Sequence, residues 1–518
     1  MPKAVSGRLL LFATPEQIAA KMAAEGKISQ VDASPMHPTR TTVAAHEISR
    51  IAPGASLQVD ADTLAFPQGF SQLAPGRYAM QAVLDVNHDY AYAGRGAGDL
   101  VSDVSMVEIK PGMKMPTLTL NAVVPDHWQG WQLPDDMPEG MRKALQPQFD
   151  AAKQHTRKID FTSPALTAFW GRTIHMRGWV LTPPGYAKQA GQRYPVVYYT
   201  HGYGGSRRSL EFPAAEIWRQ MASGAMPPMI WVLLDESMPT GTHEFADSVN
   251  NGPWGKALTE ELIPHLESQY RMDGKPSGRF LQGHSSGGWA TLWLQVRYPK
   301  VFGGTWSTSP DPSDFHDFTG VNLYAENANV YHAADGHAWP LVRSNGRVLA
   351  TFEQFARLER VLGSYGGQMA SFEWVFSPRG ADGRPQPMFD RDSGKVNPGV
   401  VAYWRDHFDI AHRIRTQWPQ LKQDLNGKVH VYIGTADTFY LDGAAHRLQA
   451  AFKKVGGKAE FRFLPGKTHF DIYARGKDRR WLLTRIAWSM YHQARPNAVI
   501  PKADKALQED ASAAIQEP

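Results

Sequence analysis

Two uninterrupted apolar runs, YPVVYYT at 194–200 and MIWVLLD at 229–235, constrain the fold of this 518-residue chain more than any other feature. A strand apolar on both faces must be covered from both sides, so such runs belong in a parallel sheet sandwiched by helices. GRFLQGHS and GKVHVYIGTAD repeat the pattern downstream. Between MIWVLLD and GRFLQGHS, ALTEELIPHLESQY places Leu258, Leu262, Ile263 and Leu266 on one helical face. From residue 159 onward the sequence predicts an α/β domain.

The text upstream has a different period. In LAPGRYAMQAVLDVN, Tyr78, Met80, Ala82 and Leu84 fall on one face, and Leu57 with Val59, then Leu118 with Leu120, repeat the alternation. Short strands separated by Pro, Gly and Asp predict an N-terminal β-sandwich over 1–125, interrupted by one helix around Pro15 to Ala24. Residues 126–158 mix Pro, Gly, Trp and charge and read as a linker. The α/β domain runs over 159–495, but its alternation stops at about 310–425, where turns surround a helix bearing Phe352, Phe355 and Leu362 and a second helix spans about Val401 to Trp418. That segment reads as a lid-like insertion, and 496–518 as a flexible tail. There are no internal repeats. A chain that is 42% hydrophobic is long enough to build more than one such core.

Composition narrows the chemistry. With no cysteine, disulfides, thiolate metal sites, iron–sulfur clusters and cysteine nucleophiles are excluded. The net charge of +5 is small, and its basic residues are scattered, so no nucleic-acid partner is expected. No run approaches the roughly 18 apolar residues of a membrane span. The opening, MPKAVSGRLLLFATPEQ, reads as a first strand; the chain is expected to be cytoplasmic, or periplasmic or secreted where a signal peptide has been removed.

The chemistry-bearing motif is GHSSGG at 283–288, which contains G-x-S-x-G centred on Ser285. It follows the apolar RFLQ and precedes a helix in which Trp289, Leu292 and Val296 share a face, the strand–turn–helix setting of a nucleophile elbow. Ser286 does not fit the role, because the position two residues before it is His284. A serine hydroxyl needs a base, and the base needs a carboxylate. In the order Ser, acid, His, the strand VHVYIG leads to Asp437, with Asp442 the nearest substitute, and the strand AEFRFL leads to His469. His430 and His446 compete less well, since they fall inside a strand and a helix. The run THGYGGS ends another strand and supplies a glycine loop, so the backbone N–H groups of Tyr203 and Ser286 are the expected oxyanion donors. It lacks the Lys of a phosphate-binding loop.

These segments, THGYGGS, DSVNNGPWGKALTEELIPHLESQYR, GRFLQGHSSGGWATL, the strand with GTAD and the loop with KTHF, resemble the esterase group of α/β-hydrolases that includes esterase D, feruloyl esterases and enterochelin esterase. The resemblance covers roughly 165–310 and 427–492. It implies a triad of Ser285, Asp437 and His469, and hydrolysis of a small-molecule or polymer-linked carboxylic ester through an acyl-enzyme, with no cofactor and no metal. The insertion is far longer than the corresponding loop of a compact member, and the N-terminal sandwich is an addition. Two alternatives use the same residues: an acyltransferase or peptidase, and an inactive binding protein on a hydrolase scaffold.

Weaker signals fit structural roles. DVNHD at 85–89, followed by Asp99 and Asp103, spaces its oxygens like a calcium loop but lacks the glycine and the later glutamate, and reads as a hairpin. DRDSG at 390–394 reads likewise as a turn. Trp339, Trp374 and Trp404 read as a small core within the insertion. Oligomeric state is open.

Overall fold

The computed structural model describes residues 3–22, 28–114, 116–126, 128, 130–134 and 137–498; the expected tail lies outside them from 499 onward, as does the expected first helix beyond Met22. The described residues fall into two compact units. One comprises the chain up to Trp128 with Met238–Thr242 and Thr319–Trp404, and the other comprises the remainder.

The first unit is built on an antiparallel sheet in the order Ala65–Phe66, Thr42–Ile51, Val5–Pro15, Gly76–Asp85, Leu100–Ser102 and Leu120–Val123, with Ser105–Ile109 also paired to Gly76–Asp85. Tyr78, Met80, Ala82 and Leu84 line one face, as their alternation predicts. Leu57 and Val59 do not repeat it; they lie outside any strand, and Leu57 is exposed. The opposite face carries Leu10, Phe12, Val43 and Val83, and what packs on it is a helix, Phe352–Leu362, through Leu358, Val361 and Leu362. Part of the segment expected as an insertion therefore completes the N-terminal core.

That helix is fixed at both ends. Thr351 and Gln354 form a reciprocal capping box, with side-chain to backbone distances of 3.2 and 3.1 Å. At its C-terminus the Arg8 guanidinium donates to the Val361 carbonyl (Nε, 3.0 Å) and the Arg360 carbonyl (Nη2, 3.1 Å), satisfying acceptors that the helix cannot. In the DVNHD turn, the Asp85 carboxylate accepts the N–H groups of Asn87, Asp89 and Tyr90, and Asp99 accepts those of Val86 and Gly96. Burial, with Asp85 and Asp99 nearby, pushes the Asp89 carboxyl up to about 6. Asp390 likewise closes its turn on Ser393, at 2.8 Å to N and 2.7 Å to Oγ. Trp404 is buried edge-on to Phe376 and donates to Ser377 Oγ at 3.0 Å.

The second unit holds an eight-stranded sheet in the order Thr156–Thr162, His175–Leu181, Ile230–Leu234, Val196–Thr200, Arg279–His284, Gly304–Thr308, Val429–Gly434 and Glu460–Leu464. In chain order this is 1-2-4-3-5-6-7-8. Strand 2 is antiparallel to its neighbours, and strands 3 to 8 are parallel. The two founding apolar runs lie side by side in the middle of this sheet, with Val196, Val197, Ile230, Trp231, Val232 and Leu233 fully buried.

The helix from Trp254 to Gln269 buries Leu258, Leu262, Ile263 and Leu266, as expected. Its middle, Ala257–Leu262, is a π-helical turn that runs into Pro264, a residue with no N–H to donate. The second helix expected in the insertion is two, Pro398–Phe408 and Ile410–Leu425. The break is at Asp409, whose carboxylate accepts from His412 N (2.7 Å) and Phe315 N (3.1 Å). The segment read as a linker contains the helix Glu139–Gln154, in which Phe149 is buried edge-on to Phe212 at 5.0 Å. Pro147 within it disguised the helical pattern.

Candidate active site

The strand Arg279–His284 ends one residue before Ser285, and the helix Ser286–Arg297 begins one residue after it. A single residue must turn the chain, and Ser285 does so at φ 61°, ψ −125°. For a residue with a Cβ this conformation costs on the order of 1–3 kcal/mol. The flanking glycines allow it: a Cβ on Gly283 would strike the Gly287 carbonyl, and one on Gly287 would strike the carbonyls of Thr200 and His201.

The loop after Val196–Thr200 packs directly on this turn. A Cβ at Gly202 would lie 2.9 Å from Ser285 Cβ and 3.0 Å from the His284 carbonyl. Gly205 N–H donates to the Gly202 carbonyl at 3.1 Å, with Tyr203 inside that turn. His201 anchors the loop. Its Nδ1 is 2.8 Å from the Gly202 carbonyl, and its Nε2 lies 3.1 Å from Asp235 Oδ1 and 3.0 Å from the Glu236 nitrogen, just past the end of the adjacent strand. Burial pushes the Glu236 carboxyl up to about 8, outweighing the pull of His201.

Asp437 follows the strand Val429–Gly434 and His469 follows Glu460–Leu464, so both emerge at the carboxyl ends of neighbouring parallel strands. Asp437 Oδ2 is 2.9 Å from His469 Nδ1, and Oδ1 accepts Phe439 N–H at 2.9 Å. Both residues are buried. Burial alone would raise the Asp437 carboxyl, but the His469 imidazole and the Phe439 N–H outweigh it and hold the group below its ordinary value. The His469 ring lies 4.5 Å from that of His284, the residue before Ser285. His284 is pushed down to about 3 by burial and by His469, and is a neutral packing partner at any working pH. Behind it the Tyr473 hydroxyl lies 2.6 Å from Thr308 Oγ1 and accepts from Gln282 Nε2 at 2.8 Å. Phe439 stands edge-on to the imidazole at 4.8 Å, and the next aromatic, Phe470, is 67% exposed.

The competing histidines have packing roles: His430 stacks on Trp306 at 4.2 Å, and His446 on Phe463 at 3.7 Å. Asp442 begins the helix Asp442–Lys454. Asp314, His316 and Asp409 come close enough to offer a cation three ligands. Arg415 already pairs with Asp314 at 2.8 Å, however, and Asp409 is occupied by two backbone N–H groups.

Sequence reasoning missed Asp311. It lies in SPDPSDF, a stretch read only as a turn, just past the strand Gly304–Thr308. Its buried carboxylate accepts the Ser286 hydroxyl at 2.6 Å, and its N–H donates to the Ser285 carbonyl at 3.3 Å. Burial pushes this carboxyl up to about 6, against the opposing influence of the Ser286 hydroxyl and the His469 imidazole. The one sequence signal was positional, a carboxylate at the carboxyl end of the strand beside the elbow.

Known proteins resemble the same region. The model of the family described as "Putative esterase" matches residues 173–469, more than half of the chain. An esterase of Mycobacterium tuberculosis, Esterase Rv1288, is 31% identical over 145 residues, which is 27% of this chain and 30% of that protein. An endo-1,4-beta-xylanase/feruloyl esterase of Xylanibacter ruminicola is 29% identical over 133 residues, 24% of this chain and 18% of that protein. The chain thus spans less than a third of the length of each of these relatives. Among solved structures, a ferulic acid esterase superimposes with a TM-score of 0.39 at 14% identity, covering 66% of this chain and 97% of that one. An S-formylglutathione hydrolase from Agrobacterium tumefaciens superimposes with a TM-score of 0.38 at 15% identity, covering 65% and 94%.

Proposed function

Because the chain belongs to the "Putative esterase" family, we propose that it hydrolyses carboxylic esters through an acyl-enzyme, with Ser285 as nucleophile, His469 as general base and Asp437 as the carboxylate that orients the base. The observation that carries this reading is the Ser285 backbone: a single non-glycine residue is held at φ 61°, ψ −125° between the end of a strand and the start of a helix, the strained turn that presents a nucleophile.

Ser285 Oγ adds to the ester carbonyl carbon while its proton passes to His469 Nε2. Asp437 stays ionised on Nδ1, holding the tautomer and stabilising the imidazolium. The carbonyl electron pair moves to oxygen, which the N–H groups of Tyr203 and Ser286 receive. His469 then returns the proton to the departing alkoxide, and a water repeats the sequence to release the acid.

The xylanase/feruloyl esterase relative and the aromatic pair Phe439 and Phe470 support an ester with an aryl group, free or attached to a polymer. The test is a panel of aryl, short-chain and hydroxycinnamoyl esters with the wild type and Ser285→Ala, alongside labelling by a fluorophosphonate. Labelling at Ser285 and turnover lost by several powers of ten in the variant are expected. Near-normal turnover in Ser285→Ala rejects the reading, and transfer of the acyl group to an added alcohol or amine in place of water would make the enzyme an acyltransferase.

A further inference from the structure

We propose that His284 is a positioning residue for the general base: its ring, braced by Thr308 and Tyr473, sets the His469 imidazole against Ser285. The inference rests on the serine hydrolase reading and gives a task to the residue before the nucleophile, which that reading leaves unused.

Three links carry it. Thr308 is the common reference, because its backbone carbonyl accepts the Ser285 N–H at 3.0 Å while its hydroxyl meets the ring of His284. The protons around that hydroxyl can be assigned. Thr308 Oγ1 donates to the Gly283 carbonyl at 2.8 Å, an atom that can only accept, and so keeps two lone pairs for donors. The Tyr473 hydroxyl at 2.6 Å fills one, and His284 Nδ1 at 3.3 Å fills the other. Tyr473 in turn accepts from Gln282 Nε2 at 2.8 Å, which leaves its own proton to point at Thr308. His284 is thereby the Nδ1–H tautomer, with its ring rotation fixed. Burial keeps that ring neutral, so it places no charge beside a base that must take up a proton.

The last link is ring against ring. The centroids of His284 and His469 are 4.5 Å apart with their planes at 44°, and the Tyr473 ring backs His284 at 5.6 Å. The bond from Asp437 to Nδ1 decides which nitrogen of His469 is free, but a single hydrogen bond leaves the ring able to tilt about it. His284, together with Phe439 edge-on at 4.8 Å, removes that tilt. The separation of nucleophile and base is then set through Thr308, whose carbonyl holds the serine on one arm and whose hydroxyl holds the base, by way of His284, on the other.

The test measures kcat and KM on an aryl ester for His284→Ala, Tyr473→Phe and the double variant in the full chain. Ser285→Ala is the reference, thermal unfolding is the control for folding, and the low-field proton NMR resonance of His469 Nδ1–H reports the ring itself. A base displaced by about 1 Å costs about 10²-fold, so His284→Ala should lower kcat by about that factor with KM changed less than about twofold, and its low-field resonance should broaden. Tyr473→Phe leaves both histidines in place and slackens only the brace; its kcat should fall about fivefold, and the double variant should be no slower than His284→Ala alone. Wild-type kcat, a loss carried by KM, or an unchanged resonance in His284→Ala overturns the proposal. Losses that multiply in the double variant overturn it too, because Tyr473 would then act apart from His284. Should His284→Ala not fold, unchanged kcat in Tyr473→Phe overturns it. An active Ser285→Ala would instead remove the nucleophile reading itself, an outcome distinct from all of these.

Discussion

The carboxylate of Asp437 and the imidazole of His469 meet at 2.9 Å, Oδ2 to Nδ1, across the ends of two adjacent parallel strands. Because Oδ1 is held by the Phe439 N–H, the carboxylate cannot rotate away, and the ring is fixed with Nε2 as its free nitrogen. In Asp437→Asn the amide would keep the shape while selecting the wrong tautomer. Turnover should drop about 10⁴-fold with KM little changed, as read from steady-state kinetics on an aryl ester.

Ser285 adopts its turn against its own preference, so Ser285→Gly should unfold at higher denaturant than the wild type while being inactive. The expected gain is about 1 kcal/mol, measured by urea titration, since glycine reaches φ 61° without the Cβ penalty.

At Gly202 an added methyl group would meet Ser285 Cβ at 2.9 Å and the His284 carbonyl at 3.0 Å, both on the rigid turn. Gly202→Ala should therefore displace the loop carrying Tyr203 and lower kcat by about 10²-fold. Far-ultraviolet circular dichroism should be unchanged, because the sheet is not involved.

Glu236 links pH to stability. Its carboxyl titrates at about 8 in the folded protein and near 4.5 in an unfolded chain, so between those values the folded state holds a proton that the unfolded state has released. The contribution is fully present below pH 4.5 and is lost as pH rises through 8. Glu236→Gln cannot ionise, and its stability relative to the wild type should climb across that window at about 1 kcal/mol per pH unit. Urea midpoints at pH 5, 7 and 9 would show it; parallel curves for the two proteins would refute it.

Phe470 is two-thirds exposed beside His469, so it contributes little to folding. Phe470→Ala should leave the melting temperature unchanged within about a degree. It should raise KM several-fold for aryl esters and not for acetyl esters.

The elbow was legible in the sequence because close approach of a strand and a helix permits only glycine at 283 and 287, and that requirement is written in residue types. The pairing of Asp437 with His469 was legible by position alone: each follows the carboxyl end of one of two adjacent strands, which end at Gly434 and Leu464. Asp311 met the same positional rule, but prolines on both sides gave it the look of a plain turn, and only its burial against the Ser286 hydroxyl distinguishes it. The helix Glu139–Gln154 was hidden by Pro147 and by a charged outer face. The helix Phe352–Leu362 was plain from its apolar stripe, whereas its destination on the N-terminal sheet was not, because no local pattern records a partner hundreds of residues away.

That separation has a consequence for biosynthesis. Arg8 and Val361 are 353 residues apart, and although Ala19, Val31 and Tyr90 already pack on this apolar face, the part that Leu358, Val361 and Leu362 fill is covered only after the intervening chain has been made. At roughly 5–20 residues per second of translation, the nascent sheet waits tens of seconds with that part of its face uncovered. A ribosome-bound chain stalled before residue 352 should be a client for chaperones, and a fragment cut at the end of the N-terminal strands should aggregate where the whole chain does not.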